Sequence, residues 1–439
     1  MSLLTFKKGV HPPASKTATA SQPIEEAPMP DTLMVPLSQH LGAPSSPVKS
    51  RGDEVEVGEL LSEASSKISA NIHSPAAGKI KRIVDKPLPG GKMAQYMEIT
   101  VDHERTAAHS FERQEVDISS LDRQTVVTSM RNAGIVGMGG ATFPADVKFS
   151  PPPTAPVDTL IINGVECEPY LTCDHRLMLE HTEQLLEACR VLNAAYGFDS
   201  IYIGIEANKP DAVEAFEKQA ATYADLPLRI VPLEVKYPQG AEKMLIKALT
   251  DRTVPMGGLP MEVGVIVSNV QTIFAAYEAI YYNKPLIERV VTVSGRGVDT
   301  PKNVRAAVGT PLESLVEFCG GMSQEVDKVV AGGPMTGAAL PTLDYSVAKG
   351  TSGFLFFTEA EYQPEGPCIR CGRCVAACPM NLMPLKLAAY SKAEKFEDAK
   401  ALDVNACFEC GACAFGCPAK IDLVAWMRYA KNYIRVKGL

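Results

Sequence analysis

The 439-residue sequence lacks an uninterrupted apolar run of the roughly 18 residues that a membrane-spanning helix requires. Its best candidate, around residues 263–276, is broken by Gly264, Ser268, Asn269 and Gln271. The opening, MSLLTFKKGV, has no apolar centre of the kind that marks a signal peptide. Basic residues are in the minority: 43 Lys and Arg against 51 Asp and Glu give a net charge of −8, which argues against nucleic acid as a partner. Cys167, Cys173, Cys189 and Cys319 are scattered singly, so no disulfide framework is visible. With 46% hydrophobic and 21% charged residues the composition is that of an ordinary soluble globular protein. The length calls for about three domains.

What is there is a pair of cysteine blocks, CIRCGRCVAACP at 368–379 and CFECGACAFGCP at 407–418, each C-x2-C-x2-C-x3-C-P and offset by 39 residues. Gly372 and Gly411, and Pro379 and Pro418, keep register with the cysteines. The spacing suits cubane iron–sulfur clusters. Three thiolates wrap one corner of a cluster, and the fourth, before the proline, reaches the other cluster. Cys368, Cys371, Cys374 and Cys417 are therefore assigned to one 4Fe-4S cluster, and Cys407, Cys410, Cys413 and Cys378 to a second. Structural zinc and disulfides are the competing uses, and neither calls for two such blocks in register. Thiolate-held clusters need a reducing compartment, which points to the cytoplasm. The chain conducts electrons.

Residues 1–30, rich in Pro, Ala, Ser and Thr without periodicity, read as an extended arm. From 31 to 112 short β-like runs (31–37, 54–61, 78–84) alternate with turns. The phrase RGDEVEVGELLSEASSKISANIHSPAAGKIKRI resembles a lipoyl-type barrel-sandwich hybrid. Lys67 stands where a lipoyl lysine would, but the usual Asp-Lys-Ala is replaced by Ser66-Lys67-Ile68, so a solvated hairpin lysine is the expectation. From 113 to 287 strands predicted at 159–163, 200–205, 228–233 and 263–268 alternate with helices, which argues an α/β layer domain. The clearest helix is 174–196, where Met178, Thr182, Leu185, Cys189, Leu192 and Tyr196 form a stripe and Gly197 a stop; Cys189 belongs to its core face. A small strand–turn–strand–helix unit follows at 288–340, then a connecting segment, 341–361, and a helical domain, 362–439, that carries the cysteines.

Two phrases carry ligand chemistry. GIVGMGGATFPADVK, 134–148, clusters glycines whose backbone N–H groups can close on a phosphate. NGVECEPYLTCDHR, 163–176, follows a strand and sets Asn163, Glu166, Glu168 and Asp174 at a strand end, where α/β domains bind ligands. Together they resemble the FMN/NADH site in the flavin subunit of respiratory NADH dehydrogenases, with YPQGAEKMLIKAL (237–249) and VSNVQT (267–272) following in order. The whole order (K-G-V-H-P at 8–12, the lipoyl-like hairpin, these motifs, a unit with GGPMTG at 332–337, two cubane blocks) resembles the C subunit of the Rnf complex, a membrane-bound ferredoxin:NAD oxidoreductase coupled to sodium or proton movement.

The resemblance implies a multidomain fold: a barrel-sandwich hybrid, an α/β FMN-binding domain, an SLBB-type β-grasp domain and a ferredoxin-like helical domain with two 4Fe-4S clusters. It implies FMN held by Gly137, Gly139, Gly140, Lys148, Asn163 and Asn269, with Gly240 and Glu242 beneath the flavin. Glu166 and Glu168 would line the nicotinamide side, shaping affinity rather than transferring protons, and Phe143 (or Phe149) would be the aromatic neighbour. Hydride would pass between NAD(H) and FMN, and single electrons through the clusters. The implied partners are NAD(H) and the membrane-embedded and iron–sulfur subunits of the complex, with ferredoxin reached only indirectly. The implied location is peripheral, on the cytoplasmic side of the bacterial inner membrane. Val165, Thr142 and Ala241 depart from the dehydrogenase pattern, where Asp, Gly and Glu stand. Alternatives are a cobalamin-reducing flavin/iron–sulfur protein, which typically lacks the arm and lipoyl-like module, and a flavin-free electron wire or scaffold. The basic amphipathic end, AWMRYAKNYIRVKGL, either packs on the cysteine module or also docks on a bilayer or partner.

Overall fold

The computed structural model describes residues 3–323, 325–359 and 364–439, so the expected boundary at 361/362 lies outside the described residues, as do Met1 and Ser2. Short aliphatic runs, buried on both faces except in the partly exposed edge strand Leu228–Leu233, form a parallel four-stranded sheet in the order Leu228–Leu233, Ser200–Glu206, Thr159–Gly164, Val265–Asn269. The chain leaves Thr159–Gly164 toward one edge and returns to its other side at Val265–Asn269. That reversal opens a crevice at the carboxyl ends of the two strands, where Asn163 and Asn269 are direct register partners. The predicted helix 174–196 is in fact two, Cys173–Glu180 and Thr182–Tyr196. They break at His181, whose backbone (φ −132, ψ 32) leaves the helical region while its ring packs 4.5 Å from Phe274 and meets Arg305 Nη2 at 2.9 Å. The hydrophobic period runs on across the break, so the sequence stripe conceals it; Cys189 is core, as expected.

The barrel-sandwich region has two sheets. One runs Thr32–Pro36, Met93–Val101, Gly78–Pro87, Glu54–Val55, and the other Ser46–Pro47, Leu60–Glu63, Ile72–His73. The predicted strand 54–61 is thus split, because the chain turns through Gly58 (φ 79) and its halves join different sheets. Lys67 lies exposed in the turn between Leu60–Glu63 and Ile72–His73.

A six-stranded sheet runs Ile24–Glu26, Lys302–Ala307, Glu288–Ser294, Gly353–Phe357, Lys328–Ala331, Ala338–Leu340. Two of its strands come from outside 288–340. Gly353–Phe357, from the expected connector, is a central strand that buries Phe354 and Phe356. Ile24–Glu26 belongs to the arm and pairs with Lys302–Ala307. The arm is a strap rather than a loose linker. Val10 bridges Tyr237, Gly9 N donates to Ala377 O, Tyr170 N donates to Ala14 O, and Thr19 is buried beside Thr172. Each stretch docks on a surface built by distant sequence, so no periodicity of its own is needed.

In the cysteine module the terminal helix, Leu423–Lys437, buries Leu423, Met427, Ala430 and Ile434, and the three larger side chains contribute roughly 1.5–3 kcal/mol each. Arg428 and Lys431 both bond Glu409 of the second cysteine block, leaving Arg435 and Lys437 as the basic residues turned outward. Among the described residues no helix is long and apolar enough to cross a membrane.

Candidate functional site

The glycine-rich loop is closed at its base, where Val136 bridges Pro144 and Gly137 N donates to Phe143 O. Met138 N donates to Thr272 Oγ1 at 2.9 Å, which seats the loop over the crevice. Gly139 has φ +80, and a Cβ there would come within 2.9 Å of Asn269 Nδ2; at Gly140 a Cβ would meet no protein atom within 4 Å. The N–H groups of Gly139, Gly140 and Ala141 have no acceptor among the described residues, so successive donors form a cradle suited to an anion. Below it Asn163 Nδ2 donates to Gly240 O, and Asn269 Nδ2 donates to Asp174 Oδ2 at 2.6 Å. Asp174 also accepts from Gln271 Nε2. Burial first, and the nearby Glu166 carboxylate second, raise the Asp174 pKa to about 6. Arg289, fully buried, donates to Thr351 O and touches Met138 Sδ beneath the loop; burial lowers its pKa to about 10.

The other expected residues are brought to the same crevice, though not all face it. Lys148 Nζ bonds Glu242 at 2.6 Å and Val267 O at 2.8 Å. Glu166, with φ +47, turns its carboxylate back to accept from Asp174 N and His175 N. Glu168 accepts from Met335 N and Thr336 Oγ1 of the GGPMTG loop so closely that a Cβ on Gly333 would collide with its carboxylate. Both carboxylates are spent on the protein. Phe143 is half-buried at the loop base, whereas Phe149 is core, its ring 5.9 Å from Tyr196. Val165 is buried in a cluster with Ile161 and Leu245 and lies beside Gly240. Thr142 adopts φ +53, a conformation that favours the glycine of the dehydrogenase pattern.

The eight block cysteines surround two cavities. One is lined by Cys378, Cys407, Cys410 and Cys413, the other by Cys368, Cys371, Cys374 and Cys417, so each takes three thiols from one block and one from the other. That donor set fits two cubanes. Tyr237 OH donates to Cys410 O at 2.7 Å, and a Cβ on Gly411 would lie 2.7 Å from Met335 O. The Cys378 set therefore abuts the crevice domains. Cys368 and Cys371 are exposed.

The chain is 44% identical over 439 residues to the C subunit of the proton-translocating ferredoxin:NAD(+) oxidoreductase complex of Clostridium ljungdahlii, covering 99% of this chain and 95% of that one. It is 40% identical to the C subunit of the Na(+)-translocating complex of Acetobacterium woodii, covering 98% and 97%. The chain belongs to the RnfC family.

Four domain families match along this RnfC chain: the RnfC barrel sandwich hybrid domain at 4–104, the Nuo51 FMN-binding domain at 130–278, the SLBB domain at 290–339 and a 4Fe-4S dicluster domain at 367–421. Among solved structures, the H2-reduced NAD+-reducing NiFe-hydrogenase shares its fold at a TM-score of 0.50 and 19% identity, covering 74% of this chain and 68% of that one. Sequence reading of this RnfC chain misses Lys16, Lys209, Tyr237 and Arg289. A lone Lys in a Pro-rich arm, or a Tyr before Pro, carries no periodic signal. Only the K-G-V-H-P phrase hints that the arm matters.

Proposed function

We propose that this RnfC-family protein is the NAD(H)-reacting, peripheral electron-transfer subunit of an ion-translocating ferredoxin:NAD oxidoreductase on the cytoplasmic face of the cell membrane. It would hold FMN in the crevice and two 4Fe-4S clusters in the cysteine cavities. The segment 237–240 carries the reading: Gly240 O takes the Asn163 amide in the crevice, while Tyr237 OH reaches Cys410 O at the nearer thiol set. Flavin and cluster chemistry thus share one short stretch of chain. Bound FMN supplies the conversion between a two-electron hydride and single electrons.

The residues divide the work. Gly139, Gly140 and Ala141 offer N–H groups to the phosphate, and Asn163 and Asn269 orient the ring system from adjacent strand ends. Lys148 is largely neutralised by Glu242, which leaves the backbone cradle as the main anion donor. Glu166 and Glu168, fixed by the protein, set the local potential on the nicotinamide side and move no proton. The Cys378 set receives electrons first, and the exposed Cys368 set faces the next subunit of the complex. Anaerobic protein should contain FMN and about eight irons per chain, and NADH should bleach the flavin. Iron without flavin, and no response to NADH, would favour the electron-wire alternative; NADH-driven cobalamin reduction with no recovery alongside membrane subunits would favour the cobalamin reductase.

A further inference from the structure

The loop between Asn163 and Asp174 is gathered onto two buried ammonium groups. Lys16 of the arm donates to Glu166 O and Glu168 O, each at 2.9 Å, and to Leu171 O. Lys209 donates to Val165 O at 2.7 Å. Three carbonyl acceptors at one nitrogen require three N–H donors, which only the protonated amine provides. Burial lowers the Lys16 pKa and Glu166, whose carboxylate lies 3.9 Å away, opposes it. Meanwhile the N–H groups of Glu166, Cys167 and Glu168 have no acceptor among the described residues. In two peptide units of this turn, Val165–Glu166 and Glu166–Cys167, an ammonium thus sits at the carbonyl end while the N–H end is unspent; Glu168 O precedes Pro169, which has no N–H, and Thr172 N donates to Thr292 Oγ1. The same arm holds the segment that joins the two cysteine sets: Lys8 Nζ donates to Val375 O and Gly9 N to Ala377 O, between Cys374 of the exposed set and Cys378 of the nearer one.

We infer that Lys16 is a positioning residue for the flavin site, whose buried charge, relayed through the 165–171 loop, raises the reduction potential of the flavin bound there. The inference rests on the proposed flavin site. A buried charge is weakly screened, so its field acts on the extra electron density of a reduced flavin. The side chain need not touch the cofactor.

The test is spectroelectrochemical titration of FMN in the full-length holoprotein, parent against Lys16→Met, Lys16→Gln and Lys16→Arg. Lys16→Gln keeps an amide donor for one carbonyl without the charge, and serves if Lys16→Met fails to fold. The neutral variants should show a lower flavin midpoint potential and several-fold weaker FMN binding, with parent iron content; Lys16→Arg should restore much of the potential. An unchanged potential in a neutral variant that retains flavin overturns the inference. So does a Lys16→Arg potential as low as that of Lys16→Gln, since shape and not charge would then be responsible. A parent protein that takes up no FMN would break the flavin reading itself, a result separable from either.

Discussion

Two cysteine sets with the same spacing occupy different surroundings. The Cys378, Cys407, Cys410 and Cys413 set is pressed against the crevice domains by Tyr237, Met335 and the arm. The Cys368, Cys371, Cys374 and Cys417 set opens to solvent at Cys368 and Cys371, beside Ile369, which is 67% exposed. Motif identity fixes what each set can hold; packing alone distinguishes an inner from an outer one. The direction of an electron path is thus a property of the tertiary contacts, and the repeat is silent about it.

The strongest way to break this distinction is to remove one set at a time. Cys371→Ala and Cys410→Ala should each halve the iron content, to about four per chain. In anaerobic electron paramagnetic resonance, Cys371→Ala should leave the inner cluster reducible by NADH, whereas Cys410→Ala should strand the outer one. The reverse pattern would invert the order. Next in size, Gly139→Glu places bulk and negative charge where a Cβ already crowds Asn269. FMN affinity should fall by at least about 100-fold, on the scale of the several kcal/mol that burying an unpaired charge costs. Both clusters should remain, reducible by dithionite but not by NADH.

A pH test sharpens the link between crevice and inner set. Above about 6 Asp174 is a carboxylate that accepts from both Asn269 and Gln271. Because its folded pKa is raised, a proton returns as pH falls through that value, and one oxygen then ceases to be a full acceptor. FMN affinity should drop several-fold between pH 7 and 5, by the roughly 1 kcal/mol of one hydrogen bond. In Asp174→Asn it should start low and vary little over the same window, by equilibrium dialysis; a parent-like pH profile would remove Asp174 from the site. Tyr237→Phe deletes the hydroxyl bond to Cys410 O at similar cost, about 1 kcal/mol. It should slow NADH reduction of the clusters while leaving flavin reduction at the parent rate in stopped-flow absorbance. The smallest effect concerns the outer side: neutralising Arg435 and Lys437 should modestly lower recovery with the membrane fraction at low salt, and the difference from parent should shrink in high salt. Arg428 and Lys431 are already committed to Glu409.

Local chemistry is legible in the sequence and long-range chemistry is not. The strands around Asn163 and Asn269, the glycine loop and the cysteine crossover all follow from spacing within a few tens of residues. Gly353–Phe357 reads as a connector because GFLFF is short and its partners lie dozens of residues away. Lys349 is hidden in the same way. Its Nζ, fully buried, donates to Asn71 O and Gly134 O and so ties the barrel to the start of the flavin loop, with burial lowering its pKa to about 7. A cation satisfied by backbone carbonyls from two domains leaves no pattern in sequence. Glu166 and Glu168 illustrate the converse: spacing locates the strand end, but which way each carboxylate turns is decided by Asp174, Met335 and Thr336.

The strap formed by the arm has a bearing on how the protein is made. Residues 9 and 24–26 emerge from the ribosome long before Ala377 and Lys302–Ala307, the partners on which they close. Contacts of such sequence separation form slowly and late. Lys16 is a solvated amine only until its partners at 166–171 have emerged and folded, whereas Lys8 and Gly9 stay undocked until Val375 and Ala377 are made. Only the Lys8–Gly9 end of the arm needs the cysteine module; Val10, Ala14, Lys16 and Thr19 dock on the crevice domain, and Ile24–Glu26 on Lys302–Ala307. The arm therefore closes in stages, its start last, and apoprotein refolded without iron should still take up FMN.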